Sequence, residues 1–178
     1  MLAVVGSPGR KAGKTAFICA LIRAFPEASW TAIKISGHEH GAGAAYVLTA
    51  ELDPDGAGDT SRFLRAGAVA SFWLRAKPDR LADAMPSLRR VLAVAANAVI
   101  ESNSVMELVD PDLYLIVAGG SAGEAKESAH RYRARADAVI SVNGDDIPGL
   151  PAVPRFAVQA ATYWSAELAE FLKTHLRA

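Results

Sequence analysis

The chain has almost no cysteine. Cys19 stands alone among 178 residues, so no intramolecular disulfide and no cysteine-based zinc site can form. It falls inside a helical pattern, where a small buried thiol is the expected role. An excess of charge is also lacking: Lys and Arg number 19, as do Asp and Glu, so no global field draws the chain to nucleic acid or an anionic membrane. Long apolar runs are missing, and none approaches the ~20 uncharged residues that span a bilayer. The run Met1 to Val5 is too short for the hydrophobic region of a signal peptide, so the expected location is the cytoplasm. There is no internal repeat, low-complexity linker or composition break. One domain over residues 1–178 is the expectation.

What is present is ordinary globular composition with a clear alternation of patterns. Leu2 to Val5, Trp30 to Ile35, Val69 to Leu74, Ala98 to Glu101, Leu113 to Ala118, Ala138 to Val142 and Phe156 to Val158 read as strands. Most are continuous apolar runs, which a strand buried on both faces requires. Between them, helical spacing appears at Phe17, Ile18, Leu21, Ile22 and Phe25, with Pro26 as a stop. It recurs at Leu81, Met85, Leu88, Leu92 and Ala95, where Pro86 must kink or restart the helix. A helix that Asp59 can cap ends at Gly67; a polar helix is expected over Glu124 to Arg135, and a closing one over Trp164 to Leu176. The stretch Ser36 to Gly58, with five glycines and two histidines, is either a functional loop or holds a short strand around Tyr46 to Leu48. Strands alternating with helices predict an α/β fold: a three-layer α/β/α sandwich on a mostly parallel sheet. In such folds ligands bind beyond the carboxyl ends of the strands, so the loops after strands are where function is sought.

One such loop carries a strong signal. Gly6 to Thr15 follows the first strand and opens the first helix, and it ends in Gly13-Lys14-Thr15. That context is what a phosphate-binding loop (P-loop, Walker A) requires. Successive backbone N–H groups form a nest for phosphate oxygens, and the helix N-terminus adds donors and partial positive charge. Gly9, Arg10, Lys11, Ala12, Gly13, Lys14, Thr15 and Ala16 are the candidate nucleotide-binding residues. Lys14 reaches the β- and γ-phosphates and the Thr15 hydroxyl ligates magnesium. Pro8 stands where the usual pattern has its first glycine, and Gly6 suggests a loop longer by two residues.

Further residues resemble a known family. Ile33-Lys34-Ile35 is followed by His38 and His40, then by Gly58-Asp59-Thr60-Ser61-Arg62-Phe63-Leu64-Arg65-Ala66-Gly67-Ala68. These are similar to segments of the molybdopterin-guanine dinucleotide biosynthesis protein B family of P-loop GTPases. The resemblance runs from Leu2 to about Asn103, with Ser36, Ala57 and Ser102 standing where that family has histidine, lysine and glycine. It implies a nucleoside triphosphatase that serves as an accessory in cofactor biosynthesis with a partner protein, often as a homodimer.

Other positions carry two readings each. Glu101 ends a buried strand, where an unpaired carboxylate is costly, so magnesium binding or orientation of the attacking water is favoured. Asp59 is either a helix cap or a second magnesium ligand. Lys34 either neutralises phosphate or sits at the sheet edge. His38 and His40 lie on a glycine-rich loop that fixes no metal geometry; solvent exposure is favoured. Asn143 and Asp146 resemble a guanine-reading pair, or form a plain turn. Gly119-Gly120 allows either a close approach to ligand or a turn. The expected activity is thus magnesium-dependent nucleoside triphosphate hydrolysis with Lys14 and Glu101 catalytic, the metal on Thr15, Glu101 and Asp59, and GTP ahead of ATP. The alternatives are an ATP-dependent small-molecule kinase or ligase, and a non-catalytic nucleotide-binding partner.

Overall fold

A computed structural model describes residues 1–37, 44–119, 131–144 and 149–176. Eight strands form one sheet: β1 (Leu2–Gly6), β2 (Trp30–Ser36), β3 (Tyr46–Glu51), β4 (Ala70–Ala76), β5 (Asn97–Glu101), β6 (Leu113–Ala118), β7 (Ala138–Val142) and β8 (Arg155–Val158). Their order is β3-β4-β2-β5-β1-β6-β7-β8, parallel throughout except for the antiparallel β3–β4 pair. The short strand around Tyr46 is therefore real and forms one edge.

The apolar runs work as expected. Along β6, Leu113, Leu115 and Val117 enter one core, while Tyr114, Ile116 and Ala118 enter the other. The first core is closed by α1 (Lys14–Ala24), α2 (Asp59–Ala66) and α4 (Ala166–Lys173) through Phe17, Ile18, Leu21, Ile22, Phe63, Leu168 and Leu172. The second is closed by α3 (Met85–Val94) and by short turns carrying Leu81, Val105, Met106 and Tyr132. Each large side chain buried here contributes about 1.5–3 kcal/mol, so neither face can be left bare. The result is an α/β/α sandwich.

Helix boundaries follow local chemistry. Gly67, at φ 109°, ends α2: its N–H donates to the Leu64 carbonyl and that of Ala68 to Phe63, a Schellman turn that glycine tolerates best. Pro86 restarts rather than kinks its helix, because a 3-10 turn over Pro78–Ala84 precedes α3 and Pro86 occupies the first turn, which needs no N–H donor. Two expectations shift. Gly58, not Asp59, caps α2, and Asp59 is its first residue. The closing helix is shorter than expected because Ser165 caps it, its Oγ accepting from the Leu168 N–H at 3.3 Å. Of the helix expected over 124–135, only the last residues are described, and Arg133–Arg135 form a 3-10 turn.

The candidate nucleotide site

Strand β1 lies between β5 and β6; the chain runs on from β1 to β2 on one side and from β6 to β7 on the other. The crevice at its carboxyl end is where such a sheet opens. The loop after β1 turns there. A Cβ on Gly6 would lie 2.3 Å from Asn103 Oδ1 and 2.6 Å from the Tyr114 hydroxyl oxygen, so only glycine fits. The Asn103 amide grips the next residue twice: its Oδ1 accepts from the Ser7 N–H, and its Nδ2 donates to the Ser7 carbonyl, both at 2.8 Å. Ser7 is buried, and its Oγ donates to the Gly9 carbonyl and accepts from Lys14 Nζ, each at 2.6 Å. The loop is thus folded on itself by side chains that no P-loop spacing rule singles out.

Past this mouth, Lys11 (φ 57°) and Gly13 (φ 95°) take left-handed backbone conformations. A Cβ on Gly13 would meet the Tyr163 ring at 2.4 Å, so the ring lies directly over the loop. Gly119 approaches from the other side, its position 3.2 Å from the Ala12 carbonyl if a Cβ were added. Of the candidate phosphate residues, Arg10 and Lys11 are exposed, Ala12 is buried, and Gly9, Gly13, Lys14, Thr15 and Ala16 are half-buried. Helix α1 starts at Lys14 with no side chain capping its amides and no acid in its first turn. Its N-terminus is therefore a positive, donor-rich end facing the crevice.

The acids come to the same place. The Thr15 hydroxyl donates to Glu101 Oε2 at 2.7 Å, and Lys34 Nζ donates to Glu101 Oε1 at 3.0 Å and to Asp59 Oδ2 at 2.5 Å. Arg62 reaches the other Asp59 oxygen at 3.3 Å. Lys34 is no sheet-edge residue: β2 is interior, and register puts Lys34 beside Glu101. Burial opposes charge on Lys34, but Glu101 and then Asp59 outweigh it, and its ammonium titrates above its ordinary value. Burial likewise opposes the Asp59 carboxylate, yet Lys34 and Arg62 hold it below the usual range. Cys19 is structural, its thiol buried and pushed up by that burial.

The candidate set Thr15, Glu101 and Asp59 is made of hard oxygens, which suits magnesium. Among the described residues no three His, Cys, Asp or Glu side chains converge to hold a metal by themselves. That too fits magnesium, which usually takes one or two carboxylates and completes its shell with phosphates and water.

On the far side, Asn143 (φ 56°) links two loops. Its N–H donates to the Val158 carbonyl at 2.8 Å, and its Oδ1 accepts from the Ala160 N–H at 2.9 Å. This holds the segment leading to Tyr163. Asp146, His38, Glu39, His40 and Gly120 lie outside the described residues. Asn103, Ser7 and Tyr163 escaped sequence reasoning because their roles depend on partners 96, 7 and 150 positions away (Ser7, Lys14 and Gly13).

No protein-family model matches the chain, and no curated protein matches it in sequence. Among solved structures it is similar to the "apo" form of LpxK from Aquifex aeolicus, crystallised in complex with ATP. The TM-score is 0.52 and the identity 16%, over 88% of this chain and 53% of that one. What the two share is an α/β fold on a mostly parallel sheet. This chain spans about half the length of that one, and at such identity the likeness is one of fold. No helix among the described residues is long and apolar enough to cross a membrane.

Proposed function

We propose that the chain binds a magnesium–nucleoside triphosphate on residues 9–16 and promotes hydrolysis of its γ-phosphate. The observation that carries this is the Thr15–Glu101 contact at 2.7 Å, directly behind Gly13-Lys14-Thr15. It joins the hydroxyl of the phosphate loop to a carboxylate on the neighbouring strand, the pair that holds magnesium in this class. Loop amides and Lys14 bind the phosphates; Thr15 and Glu101 hold the metal, with Asp59 in support. Bound there, magnesium would neutralise charge developing on the phosphate oxygens. Water adds to the γ-phosphorus, the bond to the bridging oxygen breaks, and the proton leaves to solvent, with Glu101 orienting the water.

The resemblance to the molybdopterin-guanine dinucleotide biosynthesis protein B family supports GTP as the nucleotide and an accessory, homodimeric role beside a cofactor-biosynthesis partner. Its most specific stretch, residues 58–68, sits on and around α2, whose Asp59 meets Lys34 at this site. Asn143, through the loop it holds, and Asp146 are the base-side residues in this reading. The likeness to an ATP complex supports ATP instead. A second reading, transfer to a small acceptor, is favoured by one feature. A cavity of about 370 Å³ is lined by Pro78, Leu81, Ser104, Leu108, Arg131 and Tyr132, and Ser104 follows Glu101 by three residues in the chain.

Competition of GTP and ATP against a fluorescent nucleotide tests the reading. Wild type should bind, and Lys14→Ala should bind at least about tenfold more weakly, since a charge on the β,γ-phosphates is lost. Equal affinity in the two proteins would sink it. A saturable small acceptor that speeds turnover would favour the kinase reading.

A further inference from the structure

Two carboxylates at this site share one ammonium. Lys34 Nζ lies 3.0 Å from Glu101 and 2.5 Å from Asp59, and Glu101's second oxygen already accepts from Thr15. We infer that Lys34 is a resident counter-ion that keeps the Glu101–Asp59 pair from taking a divalent cation by itself, so that metal enters only together with a nucleotide. This rests on the nucleotide reading above.

Three observations carry it. First, Lys34 is held in place. It belongs to an interior strand and pairs in register with Glu101, and its side chain is 23% exposed against 7% for Glu101. An ammonium so placed lies within its own length of any cation that reaches the same carboxylate oxygens. Like charges that close, poorly screened by solvent, repel strongly. Second, Asp59 is fixed from its other side by Arg62 at 3.3 Å, so it cannot swing away with Lys34 to leave Glu101 open at no cost. Both positive groups would face an incoming metal. Third, the described residues offer no third carboxylate, histidine or cysteine to compensate.

A nucleotide changes each term. Its phosphate oxygens supply ligands beyond those of the described residues, and its negative charge gives the Lys34 ammonium a new partner when a metal displaces it from Glu101. Three anionic groups (Glu101, Asp59 and the phosphates) and three cationic ones (Lys34, Arg62 and the metal) then re-pair, with no carboxylate or ammonium left bare in a half-buried site. The metal–nucleotide complex is thereby accepted where the free metal is refused.

The test uses the full chain and manganese alone, followed by the paramagnetic signal of the free ion. Wild type should bind it weakly. Lys34→Met and Lys34→Gln should each bind it at least about tenfold more tightly, because the competing charge is gone. Lys34→Arg should stay as weak as wild type. A preformed manganese–ATP complex, titrated into wild type, should bind much more tightly than the ion alone. Wild type that binds the bare ion as tightly as the complex overturns the inference whatever the variants do. So do neutral variants no tighter than wild type. The metal-alone comparison contains no nucleotide, so it is read separately from any failure of ATP or GTP to bind.

Discussion

Asn103 holds the mouth of the phosphate loop with both ends of one amide, and Ser7, the residue it holds, is buried. Asn103→Ala would leave a buried N–H and carbonyl unpaired, and each such group costs about 1–3 kcal/mol. Urea unfolding should therefore show a stability loss of about 2–6 kcal/mol for the two groups, and nucleotide affinity should fall as the loop relaxes. Asn103→Asp keeps the acceptor but sets a carboxylate oxygen against the Ser7 carbonyl, so it should not recover the loss; no loss in either variant would mean the clamp is idle. The Lys34–Asp59 pair makes a second prediction, on pH. Asp59's carboxyl is depressed, so its stabilisation is present above the ordinary aspartate value of about 3.9 and lost as pH falls through the folded value. Lys34's ammonium is raised, so its stabilisation is complete below about 10.4 and lost as pH rises through the folded value. Between those limits this pair gives a plateau. Asp59→Asn should remove part of the acid-side loss, which urea midpoints across the acid range would read.

The unit from β1 through the loop to α1 depends on a glycine at its hinge. Gly13 combines a left-handed φ of 95° with the Tyr163 ring above it. Gly13→Ala should abolish nucleotide binding while leaving most of the fold. Tyr163→Ala in the same background should not rescue it, because the backbone strain remains. Full rescue would assign the glycine to ring clearance alone. The closing helix carries a prediction on stability. Ser165→Ala removes the cap on α4 and should cost about 1 kcal/mol by thermal melting.

At the scale of the molecule, one sheet of eight strands separates two cores, and the candidate site lies where β1, β2 and β5 end together. Residues from the loop after β1, from β2, from α2 and from β5 all meet there. Unfolding should be a single cooperative transition, as one domain over residues 1–178 would give, with circular dichroism and tryptophan fluorescence coinciding. Magnesium with a binding nucleotide should raise Tm by mass action, and Lys14→Ala should lose that rise. Two separate transitions would mean that the cores fold apart.

The alternation of apolar runs with helical spacing was enough, in the sequence, to give the parallel sheet and its two-sided burial. A run such as Leu113 to Ala118 has no other stable use. The strand-loop-helix setting of Gly13-Lys14-Thr15 was legible because it is local: loop, glycine and helix start are contiguous. Glu101 was legible by exclusion, since a carboxylate at the end of a buried strand needs a partner. What the partner is could be read only from the fold. Lys34 reaches Glu101 because β2 happens to lie beside β5, although 67 residues separate them. Asn103, Tyr163 and Gly119 converge on the loop for the same reason. Strand order is a long-range property, set by how crossovers pack and not by any residue's own preference. The sequence therefore determined where the candidate loop and helix start lie, and the tertiary structure decided which charges face one another beside them.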